Sequence, residues 1–235
     1  MHYWIGTSGY NYPEWKGTFY PAKHPANRML VYYAQHFASV EINYTFYRTP
    51  TPKVLEGWKH DTPERFRITL KAPKRITHDA RLRDCAERVR AFLAIAAGCE
   101  PKLGALLFQL PPNLRADLAL LDQFLATLPA GVRAAFEFRH ASWLDEEVYA
   151  RLKARNLALC VADSEKLSTP VRITADYAYF RLRDEGYTPA DITSWARRIK
   201  EATTGCRDVY VYFKHEESGT GPAFARALME NLGVS

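Results

Sequence analysis

Hydrophobic positions along this chain switch repeatedly between a period of two and a period of 3.6. The alternating stretches "YWIGTS" (Tyr3 to Ser8), "VEIN", "RFRITLK", "GALLFQL", "RAAFEFR", "LALCVAD", "YAYFRLR" and "VYVYFK" read as eight strands. Helical stripes fall between them. Leu30, Tyr33, Ala34 and Phe37 share one face, and "TPKVLEGWKH" forms another helix. Leu82 to Gly98 carries the most regular stripe, with Leu82, Cys85, Ala86, Val89, Leu93 and Ala96 aligned and Gly98 at the C-cap position. Further helices are expected over Leu118 to Leu128, Leu144 to Arg155, the run after Thr188 and Pro222 to Leu232. Pro189 suits the first turn of the helix after Thr188. Ser164 to Asp176 has no stripe, so the helix between strands six and seven is expected to be short or missing.

Strands that alternate with helices imply a parallel sheet covered by those helices. Eight such units in 235 residues predict an α/β fold of (β/α)8, TIM-barrel-like type, for which about 250 residues is typical. An open doubly wound sheet is the runner-up. No linker or low-complexity tract divides the chain, so residues 1–235 are expected to form a single domain.

In such a barrel one alternation faces the helices and the other faces the interior. Val40 and Ile42, Phe66, Ile68 and Leu70, Phe136 and Phe138, and Val209, Val211 and Phe213 make up an apolar, helix-facing set. The other alternation turns polar at the strand ends: Glu41 and Asn43, Lys71, Gln109, Glu137 and Arg139, Asp163, Arg181, and Lys214. The C-terminal strand ends are where barrel enzymes build their sites. The candidate catalytic residues are therefore Glu137, Glu41 and Asp163. Lys71, Arg139, Arg181, Lys214, Gln109, Asn43, Tyr12, Trp15 and Tyr44 are the candidates for binding a substrate. The competing reading is a closed ion-pair network of Glu41, Glu137, Arg139 and Arg181, a costly way to gain stability.

The bases outnumber the acids at these ends, four against three, which suits an anionic ligand gripped by Arg forks and Lys point charges. A lysine of lowered pKa can also attack a carbonyl, and Lys71 is the best placed to do so. An ion pair to Glu41 is the simpler role for it. The loop "GTSGYNYPEWKGTFYP" adds rings that suit a binding lid or a hydrophobic plug. It is neither a P-loop nor a dinucleotide fingerprint, because no helix opens directly after Gly9. Ser164 lacks the glycine frame of a nucleophile elbow, which argues against a serine hydrolase.

Composition narrows the setting. No apolar run nears the roughly 20 residues that span a bilayer, and the first residues do not read as a signal peptide. Cys85, Cys99, Cys160 and Cys206 are scattered, as expected of reduced thiols in a cytoplasm. The net charge of +6 permits an anionic partner. Nucleic acid stays open as that partner, although no basic block marks a tail.

At these residues the chain resembles the domain-of-unknown-function-72 (YecE-like) family of TIM-barrel-like proteins. The resemblance runs nearly end to end, through "GTSGYNYPEWKGTFYP", "VEINYTFYRTP", "LKAPKRITH", "LLFQLPP", "FEFRHASW", "ADS" and "VYVYF". It implies the barrel and brings no biochemical role with it. The chain departs from that family's usual pattern at Arg183 and Asp184, at Lys214 and His215, and at Phe224.

Three functions follow as expectations. The first is an enzyme doing general acid/base chemistry on a phosphorylated or otherwise anionic small molecule or nucleotide, with Glu137 paired to Glu41 or Asp163. The second is a metal-dependent hydrolase or nuclease built on the three carboxylates, although four strand-end bases speak against a metal. The third is a non-catalytic binder of nucleic acid or an anionic metabolite. No cofactor is assigned.

Overall fold

The computed structural model describes residues 1–164, 167–216 and 219–234. Eight parallel strands run in the order β1 (His2–Thr7), β8 (Asp208–Phe213), β7 (Tyr177–Leu182), β6 (Ala158–Asp163), β5 (Ala134–Glu137), β4 (Leu103–Gln109), β3 (Arg67–Lys71) and β2 (Ser39–Ile42). The helices between and after them are α1 (Met29–Tyr33), α2 (Tyr44–Tyr47), α3 (Pro52–His60), α4 (Ala86–Ala97), α5 (Leu118–Leu125), α6 (Glu146–Ala154), α7 (Pro189–Ala202) and α8 (Thr220–Leu232). The expected (β/α)8 architecture is therefore present. No helix occurs among the described residues between β6 and β7.

The ring closes between β1 and β2 without a regular ladder. Gly6 permits the close approach, since a Cβ there would lie 2.0 Å from Ser39 O. The Tyr33 hydroxyl spans the seam, accepting from the Thr7 amide at 2.7 Å and donating to Ser39 O at 3.0 Å. The Gly9 amide then donates to Glu41 O at 2.8 Å. A tyrosine thus supplies the pairing that the strands do not.

The helix-facing alternation is apolar, as expected. Phe108 stacks on Phe136 with ring centroids 5.4 Å apart, and Phe138 stacks on Trp143 at 4.8 Å. This outer core is buried against the helices. The barrel interior is a second core, filled from β7 and β8 by Tyr177, Tyr179, Tyr210 and Tyr212 and lined opposite by Ala105, Ala135 and Ala158. Large rings on one side match small residues on the other, as close packing requires. Each of these hydroxyls needs a partner. Tyr212 shares hydrogen bonds with Ser39 and Thr69, and Tyr177 donates to Ala134 O.

One helix starts later than its apolar stripe. The stripe begins at Leu82, but α4 opens at Ala86, because Arg81, Leu82 and Asp84 take positive φ angles of 51°, 68° and 46°. Those left-handed residues cannot continue a right-handed helix. The turn before them, Arg75–Asp79, is a widened π-helical turn separated from the end of β3 by three residues.

Candidate functional site

The interior alternation delivers Ser8, Glu41, Lys71, Gln109, Glu137 and Arg181 to the C-terminal end of the barrel. Arg181 is wholly buried at its centre. Its Nε and Nη2 hold Glu41 at 2.9 and 2.7 Å, and its Nη1 holds Glu137 at 2.6 Å. Nη2 also donates to Ser8 Oγ at 3.1 Å. Glu41 accepts further bonds from the Tyr179 hydroxyl at 2.6 Å and from Ser8 Oγ at 2.5 Å. Asn43 Nδ2 supports Ser8 at 2.7 Å, and Gln109 Nε2 reaches both oxygens of Glu137 at 2.9 Å.

Electrostatics fix the charge states of this triad. Burial alone would raise both carboxyls, but for Glu41 the Arg181 charge and the hydrogen bonds from Arg181, Ser8 and Tyr179 together outweigh it. For Glu137 the charges of Arg181, Arg183 and Lys71 together hold the carboxyl at about 2. Arg181 is in turn held charged by the two carboxylates against the effect of its own burial. Two anions and one cation leave a negative charge over. Arg183 Nη1, 3.5 Å from Glu137, helps to balance it.

Lys71 differs from the triad. Its stem is buried and its ammonium sits 4.1 Å from the centre of the Phe46 ring. It makes no hydrogen bond or ion pair to a described residue. Burial and the neighbouring Arg181 and Lys214 push its pKa down, Glu137 and Glu41 push it up, and the balance lies at about 7. His78 comes from the π-helical turn and packs on the same Phe46 ring at 5.0 Å. Burial, Lys71 and Arg139 lower its pKa, so the imidazole is neutral at pH 7.

Arg139 is half-buried and makes no ion pair or hydrogen bond to a described residue, but its charge reaches both His78 and Arg183. Lys214 pairs with Glu216 at 3.1 Å and stays partly exposed. Several polar atoms at this end are buried without a partner among the described residues: Asn43 Oδ1, Arg183 Nε and His215 Nδ1. Beside the charged cluster opens a cavity of about 350 Å³, lined by Tyr10, Tyr12, Asn43, Tyr44, Val54 and Trp58.

The structure brings Glu41, Glu137, Arg181, Gln109, Asn43 and Lys71 together and sets Arg139 and Lys214 around them. Tyr12 and Tyr44 wall the adjacent cavity. Two expected site residues lie elsewhere. Asp163 continues the Leu159–Val161 alternation, which faces the helices, whereas Ala158 and Cys160 face the interior. Its carboxylate accepts from the Tyr187 hydroxyl at 2.9 Å and from Trp195 Nε1 at 3.2 Å, on the α7 side of the strand. Trp15 is fully buried and donates its Nε1 to Glu216 O at 2.8 Å, so it anchors the loop after β1. With Asp163 removed, the three-carboxylate arrangement expected for a metal does not assemble. Among the described residues no three His, Cys, Asp or Glu side chains converge as ligands.

Comparison with known proteins places the chain. The family described as "Protein of unknown function DUF72" matches residues 4–235. The chain belongs to that family. The Escherichia coli K12 protein YecE is 33% identical over 138 residues, which is 58% of this chain and 48% of YecE, so the match spans about half of that relative. Bacillus subtilis YunF is 22% identical over 98% of this chain and 95% of its own. A DUF72 protein from Thermotoga maritima superposes with a TM-score of 0.91 at 26% identity, covering 99% of this chain and all of the other.

In this DUF72 chain, the departures that the sequence resemblance leads us to expect, at Arg183, Asp184, Lys214, His215 and Phe224, fall just past β7 and β8 and in α8. Arg183 leans on Glu137, and His215 Nε2 meets Asp184 O at 2.6 Å while its ring packs 5.1 Å from Phe224. The site also uses residues that the sequence reading did not single out: Ser8, Tyr179, His78 and Phe46. Ser8 and Tyr179 were findable by parity alone, as each lies two residues from an interior position. His78 comes from the π-helical turn and Phe46 from the single-turn helix α2, both too short for periodicity to reveal which way they face.

Proposed function

We propose that this protein is an enzyme that moves protons on a small anionic molecule at the C-terminal face of the barrel. Lys71 is the proton-transfer group, and Arg139, Arg183 and Lys214 are the anion's anchors. The observation that carries this reading is the division of charge at the barrel mouth. Glu41, Glu137 and Arg181 bind one another, while Lys71 and Arg139 have no counter-ion among the described residues. Unpaired, desolvated cations are costly unless something anionic meets them. A titrating group near neutral pH is also the most effective acid/base catalyst at that pH. In this scheme Glu137 and Glu41 are permanent anions that orient Arg181 and set the field at Lys71. They do not exchange protons during turnover.

Calorimetry with phosphate, sulfate and small mono- and dicarboxylates tests the binding half. Arg139→Ala or Arg183→Ala should weaken the best ligand by about 10- to 100-fold, the equivalent of one lost charged hydrogen bond. No anion binding in the wild type would overturn the reading. For a compound that binds and turns over, Lys71→Met should abolish turnover and leave the affinity within an order of magnitude.

A further inference from the structure

Lys71 has the surroundings of a nucleophile as well as those of a base. Its Nζ lies over the face of Phe46, with no carboxylate of a described residue in hydrogen-bonding contact, although the charges of Glu41 and Glu137 reach it. Those carboxylates are occupied by Arg181, so they do not trap the amine in an ion pair. A lysine bonded to a carboxylate is held as an ammonium and cannot attack. One freed from such a bond and desolvated by burial can present its lone pair.

Two further features adjoin the amine. The neutral His78 packs edge to face with the same Phe46 ring, with its Nδ1 2.9 Å from Thr77 Oγ1. Arg139 carries a charge that reaches His78 and has no partner among the described residues. Together they place a proton carrier and an anion anchor beside a buried primary amine.

We infer that Lys71 forms an imine with the carbonyl carbon of an anionic aldehyde or ketone, so that the substrate class of the site is a small oxo acid or a phosphorylated carbonyl compound. The inference rests on the anion-binding reading given above. The step balances without any oxidant or reductant. The Nζ lone pair forms the C–N bond and the carbonyl π pair moves to oxygen, which takes a proton as nitrogen loses one. The resulting carbinolamine hydroxyl leaves as water after gaining a second proton, and the nitrogen lone pair closes the C=N bond. In this scheme His78, which shares the Phe46 ring with Lys71 and feels its charge, carries these protons. The anionic end of the substrate lies toward Arg139 and Arg183.

Reductive trapping on the intact protein tests this. The protein is incubated with glyoxylate, the smallest anionic aldehyde, then treated with borohydride and mapped by peptide mass spectrometry. Acetaldehyde at equal concentration serves as the neutral control. The expected result is carboxymethylation of Lys71 ahead of every surface lysine, at least about tenfold faster than the acetaldehyde label at the same residue, and slowed by Arg139→Ala. Tenfold corresponds to the loss of one charge-assisted contact. If glyoxylate binds by calorimetry but Lys71 is not trapped, the imine is overturned and the anion site stands. If Lys71 takes both aldehydes equally and Arg139→Ala changes nothing, the anionic substrate class and the reading beneath it both fail. Labelling spread over surface lysines at rates that Lys71→Met leaves unaltered also overturns the imine.

Discussion

Arg181 grips Glu41 through Nε and Nη2 and Glu137 through Nη1, so a single guanidinium joins β7 to β2 and to β5 across the barrel. The three strands are not neighbours in the sheet. The contact therefore ties the barrel across its interior, where no ladder does. It also explains why the stretch "AFEFR" ends a buried strand in charges: Glu137 meets a partner delivered from 44 residues further along the chain.

Removing that partner should be expensive. Arg181→Met leaves two carboxylates buried without their cation, and breaking a buried pair in this way costs roughly 3–5 kcal/mol. The triple variant Arg181→Met, Glu41→Gln, Glu137→Gln removes every charge and should recover much of the loss. Urea denaturation of both variants checks the argument. A triple variant no more stable than Arg181→Met would show that shape, and not charge, is what the triad provides.

Acid should expose the same network. Glu41 and Glu137 have folded pKa values below their ordinary range, with Glu137 at about 2. A depressed carboxylate contributes stability that is fully present above its unfolded value, about 4.3. That contribution is lost as pH falls through the folded value. Stability should therefore fall between pH of about 4.5 and 2, and Glu137→Gln should flatten part of that slope. Urea midpoints measured across the window decide it, and parallel curves for the two proteins would count against the assignment.

Asp163 should behave as a structural residue. It accepts from Tyr187 and Trp195 on the α7 side of β6 and from Ser168 Oγ. Asp163→Asn weakens those contacts and should cost about 1.5–3 kcal/mol, the scale of hydrogen bonds to a charged group. Anion affinity measured by calorimetry should not change. A tenfold drop in affinity would return Asp163 to the site.

The sequence made the fold legible because burial on both faces of a parallel strand leaves a strong signal. The two parities of β5 and β8 separate an apolar helix-facing set from an interior set that ends in polar groups. Asp163 was misplaced because β6 carries small residues inside, Ala158, Cys160 and Ala162. Its interior parity therefore has no marker until the partners are seen. Pairing was hidden for a different reason. Which acid meets Arg181 depends on barrel shear, and no local pattern encodes it. Lys71 shows the same limit: Glu41, two strand positions away in space, appears as its natural partner until Arg181 is found to occupy it.

Lys71 itself offers the last test, through the pH dependence of stability. Its folded pKa of about 7 lies below its unfolded value, which is about 10.4. Arg181 and Lys214 press it down and Glu137 and Glu41 resist, with His78 and Phe46 completing its surroundings. Between those two values the unfolded chain binds more protons than the native one, so stability rises with pH across that range. Below pH 7 the full cost of burying the ammonium is present. Lys71→Met removes that cost, since the thioether fits a site floored by an aromatic ring. The variant should be more stable than wild type at pH 6 by roughly 2–4 kcal/mol, at about 1.4 kcal/mol per unit of displacement and allowing for relaxation. The difference should shrink toward pH 10. A stability gain accompanied by loss of function is the signature of a group kept for chemistry. An equal difference at pH 6 and pH 10 would mean that Lys71 titrates like an ordinary lysine, and the site would then lose its acid/base group.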